Sequence, residues 1–418
     1  MTAVTEAPPR IATLDIVRGI AVMGILAMNI VAFAMPPEAY MNPVAYGMET
    51  SADFISWLVS FIFIDGKMRG LFSFLFGAGI LLVILRADAK GRSAKAIHFR
   101  RMGWLLLFGL LHYYFIWFGD ILTGYALIGM IAWLFRNKLP PALIKWGIGL
   151  LLLQFLLMAL MTAGFYAASA AAAAPGADAD AIRQWGEMKG EFAIPSAQSL
   201  AETMALYRGP YAGIVEHQFT DGLLMPAMMT LFFGAETLAY MLFGMAGLRS
   251  GFFKGEWEAA RYRKTALIGF GIGIPAYALL AWALVEADYS VPMIVAVGMA
   301  ATVLTRPPMI VATAALIMLL TRRGGWLVER IAAAGRAAFT NYLGTSILMT
   351  SLFYGYGANL FGEFSRAELW LLVIAMWVLM LAWSKPWLER FSYGPFEWLW
   401  RSLARWEVQP MRRNLAAA

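Results

Sequence analysis

The sequence contains no cysteine and only three histidines, and charged residues make up 14% of it. The missing cysteines exclude disulfides, thiolate nucleophiles, cysteine-ligated metals and thioester-forming thiols. Any nucleophile or base must carry its lone pair on oxygen or nitrogen. The low charge accompanies 61% hydrophobic residues and a mean hydropathy of +0.66, more apolar surface than a water-soluble fold of this size can hide. The chain therefore reads as an integral membrane protein. The strict alternation of barrel strands is also lacking, whereas apolar runs of roughly 20 residues recur, the length that crosses hydrocarbon as a helix. A net charge of +7 would suggest nucleic acid for a soluble protein. Here most basic residues fall between apolar runs, where they set topology, and no nucleic-acid partner is expected.

The expected fold is all-α: a polytopic transmembrane helical bundle of about ten spans. They lie near 14–35, 52–85, 102–118, 121–135, 143–167, 220–248, 265–286, 291–321, 336–360 and 367–385. The second and eighth exceed one crossing and are expected to tilt or break, at "DGKMRG" and at "TRPP". Arg86, Lys90, Arg92, Lys95, Arg100 and Arg101 crowd one connection. Arg136 with Lys138, then Lys254, Arg261, Arg263 and Lys264, then Arg322, Arg323 and Arg330 crowd three others. These connections are placed in the cytoplasm with both termini, because the intervening ones carry Glu38 and Glu49, Glu286 and Asp288, or little charge.

The chain thus divides into a cytoplasmic N-terminus (1–13), helices one to five (14–167), an extracytoplasmic loop (168–219), helices six to ten (220–385) and a cytoplasmic interfacial C-terminal segment (386–418). "MTAVTEAPPR" is mixed in charge and no A-x-A-like cleavage site follows it, so the first span is expected to be a retained anchor. The loop starts on the low-complexity "AASAAAAAPGADADA", read as a connector, and continues into a mixed segment with Trp185, Tyr207 and Tyr211, suited to the interface. "GPFEWLWRSLARW" combines tryptophans with Arg401 and Arg405 and reads as a membrane-surface anchor.

Ionisable groups at membrane depth are costly and are expected to face the bundle interior or a wet cavity. In "LDIVRGIAVMGILAMN", Asp15 and Arg18 are three apart and can pair, and Asn29 returns to nearly the same helix face. The plainer alternative is an interfacial anchor plus an interhelical hydrogen bond. In "DGKMRGLFSFLFGAG", Asp65 and Arg69 stand in the favoured i, i+4 order, Lys67 points away, and Gly66, Gly70, Gly77 and Gly79 thin the helix for close approach. "LLFGLLHYYFIWFGDILTGYA" puts His112 roughly 16 Å into the membrane, near the midplane. Asp120 would lie roughly 12 Å away on another face of a straight helix, so a dyad requires the chain to turn back at "FGD". Glu236, in "LFFGAETLAYMLFG", is the mid-span carboxylate expected to orient His112 or accept its proton. Arg306 marks a helix break or a misplaced boundary, and Asn341 in "AFTNYLGTSI" is expected to hydrogen-bond across helices.

Five motifs in order, "LDIVRGIAVMGILAMN", "DGKMRGLFSFLFGAG", "LLHYYFIWFGDILTGYA", "FTNYLGTSI" and "GPFEWLWR", resemble the YeiB-type bacterial membrane proteins, a domain-of-unknown-function family, from about residue 11 to 405. That family is similar, at a distance, to the transmembrane acyltransferases. These include the family-three enzymes that O-acylate cell-surface glycans and the lysosomal enzyme that N-acetylates heparan glucosamine. Family-three enzymes carry an arginine followed eleven residues later by a histidine; Arg18 matches, and Asn29 stands where the histidine would be. "FGAG" and "RRMGW" resemble a serine-glycine bend and an arginine pair of the same scaffold. A shared scaffold does not carry its chemistry with it, and here the base would have to be His112.

The resemblance implies a multi-pass protein of the bacterial cytoplasmic (inner) membrane that transfers an acyl group from cytoplasmic acyl-CoA to an extracytoplasmic hydroxyl or amine of a glycan or lipid. Acyl-CoA is then a donor substrate, with no tightly bound cofactor and no metal. Its phosphates would meet Arg18, Arg100 and Arg101, and His112 would deprotonate the acceptor or carry the acyl group. Lys67 or Arg69 would stabilise the oxyanion, Glu236 or Asp120 would orient the imidazole, and Asn29, Asp65 and Asn341 would line the substrate path. The alternative is a proton-coupled transporter of a small molecule or lipid, with the same charges lining a pathway. A third reading is a structural or sensory protein whose polar groups only join helices. Membrane lipids are expected partners, and a homodimer is left open.

Overall fold

The computed structural model describes residues 12–413; most of the expected N-terminal segment and the last five residues lie outside the described residues. Within them the chain is helical, and its only strand-like pairing is an isolated bridge between Phe391 and Arg412. α1 (Ala12–Ala34) leads through the short α2 (Glu38–Met41) to α3 (Ser51–Phe63) and α4 (Lys67–Ala89). α5 (Ala94–Phe115) and α6 (Leu122–Ala132) form a tight pair, and α7 (Pro140–Ala172) follows. α8 (Ala179–Lys189), α9 (Ala197–Tyr207) and α10 (Tyr211–Thr220) make up the long connection. Then come α11 (Met225–Arg249), α12 (Ala259–Glu286), α13 (Val291–Val295), α14 (Thr302–Leu320), α15 (Trp326–Arg336), α16 (Ala338–Phe353), α17 (Arg366–Arg390) and α18 (Pro395–Arg405).

Among the described residues, seven helical stretches are long and apolar enough to cross a membrane: α1, α3 with α4, α7, α11, α12, α13 through α14, and α17. The other three expected spans are helices too. α6 and α16 are shorter than a crossing normally needs, and α5 carries His98, Arg100, Arg101 and His112. The apolar window of α1 is 83% buried, that of α7 only 22%. α1 is thus a central helix and α7 a peripheral one. The exposed rows Leu152, Leu156 and Leu160 on α7, Leu267, Ile268 and Ile272 on α12, and Leu371, Ile374 and Val378 on α17 form the apolar outer surface that hydrocarbon would cover.

The second long stretch breaks where its sequence suggested. α3 starts on a capping box of Thr50 and Asp53 and stops at Phe63; Gly66, with φ +68°, supplies a left-handed turn that side chains resist. The eighth does not break at "TRPP". Pro307 and Pro308 sit inside α14, and the irregularity is a π-helical stretch at Ala296–Ala301, before Arg306. The prolines remove N–H donors within α14, and the wider π-helical stretch lies about two to three turns upstream of them.

The long connection is helical, and its second half is docked. Tyr207 is buried and stacks on Phe361 at 4.7 Å, Gly355 N donates to Tyr207 O at 2.8 Å, and the Tyr211 hydroxyl donates to Phe115 O at 2.7 Å. α18 packs on α5, where Trp400 Nε1 donates to Arg101 O at 3.0 Å. Its Glu397 accepts from Phe339 N at 2.6 Å and Thr340 N at 3.1 Å, capping α16 from outside.

α4 and α11 cross with their backbones in contact. A Cβ on Gly77 would lie 2.0 Å from Met241 O and one on Gly244 1.8 Å from Phe74 O, whereas one on Gly79 would meet nothing within 4 Å. Gly77→Ala should therefore lower stability by about 1–3 kcal/mol or more, through forced separation of the two helices. Gly79→Ala should not lower it. Detergent thermal melts of the two variants beside the parent make the comparison.

Candidate functional site

His112 lies in the last turn of α5, and its side chain is fully buried. Ile116 N and Trp117 N both donate to His112 O, at 2.9 and 2.8 Å, which ends the helix and starts a reversal. The chain turns back through residues 116–121 and re-enters as α6. This reversal is the condition under which a dyad becomes accessible, and it is met: His112 Nδ1 and Asp120 Oδ1 are 3.0 Å apart.

Asp120 is held from its other side by α6. Oδ1 also accepts from Leu122 N at 3.1 Å and Oδ2 from Thr123 N at 2.8 Å, so the carboxylate caps the helix N-terminus, where negative charge is favoured. The close approach of α5 to this turn needs Gly109, whose Cβ would lie 2.4 Å from Thr123 N and 3.0 Å from Asp120 Oδ2. A carboxylate accepts only, so Nδ1 is the donor to Asp120, and in the neutral imidazole Nε2 is the nitrogen that presents a lone pair. Nε2 is buried and has no hydrogen-bond partner among the described residues. Around it stand Tyr342, with ring centroids 5.2 Å apart, and Trp117 at 6.3 Å. The Tyr342 hydroxyl accepts from Ile121 N at 3.3 Å, tying α16 to the reversal. Trp117 Nε1 and, one turn beyond Tyr342, Thr345 Oγ1 are also buried without partners. Asn29 is buried on α1, one turn before Phe33, whose ring stacks on Trp117 at 3.8 Å.

Glu236 is not the partner of His112. Its Oε2 accepts from Arg69 Nη2 at 2.6 Å; its Oε1 accepts from the Tyr240 hydroxyl at 2.8 Å and from Arg306 Nη1. A carboxylate held between two guanidinium groups from α4 and α14 and by Tyr240 is committed to that cluster, while His112 pairs with Asp120 instead. Arg306 also donates to Thr302 Oγ1 at 2.9 Å. The expected Asp65–Arg69 pair is absent for a local reason: Asp65 lies in the break before α4, so the i, i+4 geometry of a continuous helix does not exist there. Asp65 accepts instead from the Tyr40 hydroxyl at 3.2 Å. Lys67 Nζ donates to Phe61 O, lies 3.2 Å from the Tyr277 ring centroid, and is within electrostatic reach of Asp65.

Near the start of α1 Arg18 pairs with Asp15 at 3.0 Å, as their spacing suggested. Arg101 stacks over Trp400 at 4.2 Å and is close enough to Arg18, Arg401 and Arg405 to be repelled by them. Spacing alone did not reveal that α18 brings two further arginines to this group. Arg100 only donates to Ala96 O within its own helix. Asn341 is fully engaged: Nδ2 donates to Ala334 O at 3.0 Å and Ser384 Oγ at 3.3 Å, and Oδ1 accepts from Trp383 Nε1 at 2.9 Å. It joins α15, α16 and α17, the interhelical bond expected of it. Among the described residues, no group of His, Asp and Glu is arranged to hold a metal ion.

Comparison with known proteins agrees with the motif resemblance. Residues 247–407 match the family described as protein of unknown function (DUF418). The chain is 33% identical to the uncharacterized protein YeiB of Escherichia coli (strain K12) over 94% of its length and 95% of that protein's. It is 32% identical to the uncharacterized protein YxaH of Bacillus subtilis (strain 168), covering 97% and 96%. An uncharacterized 39.9 kDa protein in the amylase 3' region of Bacillus acidopullulyticus is 25% identical over 94% and 93%. No solved structure matches. On these identities the chain belongs to the YeiB family of uncharacterized proteins.

Proposed function

We propose that the protein is a multi-pass acyltransferase of the bacterial cytoplasmic membrane, with ten crossings and both termini in the cytoplasm, and that His112 is its base. The observation that carries this reading is the buried His112–Asp120 pair with Nε2 unpartnered. It is the arrangement of an imidazole oriented by a carboxylate and ready to accept a proton. Nε2 takes the proton of an acceptor hydroxyl or amine while that atom attacks the thioester carbonyl of acyl-CoA. The C–S bond breaks, and the imidazolium returns the proton to the CoA thiolate. Trp117 Nε1 and Thr345 Oγ1, buried donors without partners, would receive the oxyanion. The arginine group of Arg18, Arg101, Arg401 and Arg405 supports a phosphate-rich donor at the cytoplasmic face. Arg100, turned onto its own helix, contributes charge only.

A transport reading is favoured by a different observation. Lys67, Arg69, Glu236 and Arg306, with Asp65 beside them, form a charged centre inside the bundle, away from the dyad. Transport would respond to an imposed proton gradient and consume no acyl donor.

With labelled acetyl-CoA and longer acyl-CoAs, protein in nanodiscs should release free CoA and acylate an added hydroxyl or amine. His112→Ala should lower the rate by about 10²–10⁴-fold while donor binding persists, and Asp120→Asn should lower it by a smaller factor. Arg101→Ala should weaken donor binding. Gradient-driven uptake with no CoA release by folded protein would transfer the function to transport. Topology is tested separately. The chain has no cysteine, so Gly176→Cys should react with an impermeant maleimide on intact cells and Gly91→Cys only after permeabilisation.

A further inference from the structure

Beyond the end of α5 lies a narrow crevice of about 10 Å³, roughly the space that one water needs. The end of α5 and the reversal after it form one wall, α10 a second and the segment after α16 a third. Exposure orders the lining from solvent inward. Tyr211 and Tyr356, 42% and 40% exposed with ring centroids 5.3 Å apart, stand at the mouth; Tyr354 and Trp117, 1% and 3% exposed, form the floor.

Hydrogen bonding is incomplete at the floor. Three other phenols of the lining are bonded: Tyr211 donates to Phe115 O at 2.7 Å, Tyr113 to Gly222 O at 2.9 Å and Tyr114 to Leu223 O at 2.7 Å. The Tyr354 hydroxyl and Trp117 Nε1, by contrast, are buried without partners among the described residues. The Trp117 ring stands edge-on to His112, with centroids 6.3 Å apart, and His112 Nε2 is a third buried atom without a partner. Polar atoms left in this way carry a desolvation cost, and water in a polar pocket of this size relieves it. Other occupants fit less well. Among the described residues no acidic or basic side chain lines the crevice, so it offers no charge to a metal ion, and its volume excludes an organic ammonium.

We infer that this crevice holds water and is the port through which the His112–Asp120 dyad exchanges protons with solvent on the α10 side. The water accepts from Trp117 Nε1, pairs with the Tyr354 hydroxyl and can present its own protons to a lone pair. α10 closes the port from outside through Tyr211, Val215 and Gln218. The port does not depend on the acyl-transfer reading, because a general base and a proton carrier both need exchange with solvent.

Hydrogen exchange followed by NMR tests the port on the full chain in nanodiscs, labelled with ¹⁵N in tryptophan and histidine, with neither donor nor acceptor added. Trp117→Phe and His112→Gln assign the two signals. Trp377, whose Nε1 donates to Met23 O at 2.8 Å, is the bonded reference, assigned by Trp377→Phe. Trp117 Nε1–H should exchange about ten-fold or more faster than that of Trp377, although Trp117 is the more buried. Val215→Phe, which narrows the crevice from α10, should slow exchange of both Trp117 Nε1–H and His112 Nδ1–H by about ten-fold or more. Ser60→Leu, in a separate cavity between α1, α3 and α17, should change neither. Tyr356→Ala widens the mouth, should speed both, and carries the test if Val215→Phe does not fold. A Trp117 indole that exchanges no faster than Trp377, or a Trp117 or His112 rate indifferent to the crevice variants, overturns the inference. Absence of acyl transfer with these rates as expected would overturn the enzyme reading alone.

Discussion

The first turn of α6 grips the Asp120 carboxylate, and the geometry at His112 follows from that grip. Two backbone N–H groups, from Leu122 and Thr123, hold the carboxylate at the positive end of the helix. Its remaining capacity goes to His112 Nδ1, which sets the tautomer and leaves Nε2 bare. Because Gly109 lets α5 lie against this turn, the dyad is built from packed backbone and does not rely on a mobile loop. A site held this way meets the demand that a general base be positioned before its substrate arrives.

Hydrocarbon gives the other charges no solvent, and the fold gathers them accordingly. Glu236 binds α4, α11 and α14 through Arg69 and Arg306, while arginines of α1, α5 and α18 meet near the start of α1. A buried ion cluster is a poor way to gain stability, since apolar packing of similar volume would hold three helices as well or better. Asn341 and Glu397 differ in kind: each has its hydrogen-bonding capacity filled by neighbouring helices, and each serves the scaffold.

Much of the scaffold is legible in composition and apolar runs, because the bilayer imposes a length on every crossing. The break at Gly66 is legible for a local reason, a glycine between charged residues. The prolines of α14 mislead, because they lie inside the helix and the π-helical stretch upstream has no sequence mark in "AVGMAA". The dyad was hidden by the assumption of a straight helix. Its signal was present all the same: Asp120 stands two residues before an apolar helix, the position of a capping carboxylate, and a cap there requires the chain to turn. The arginine partners of Glu236 lie 167 and 70 residues away in the chain, and spacing says nothing about contacts at that range.

The three histidines make the central claim open to direct observation. Protein labelled with ¹⁵N only in histidine, with His112→Gln as the assignment control, reports the tautomer of each imidazole by NMR. The account predicts that the neutral His112 imidazole carries its proton on Nδ1, toward Asp120, with Nε2 bare, and that Asp120→Asn disturbs this tautomer. A neutral His112 imidazole protonated on Nε2, or one indifferent to Asp120→Asn, would contradict it.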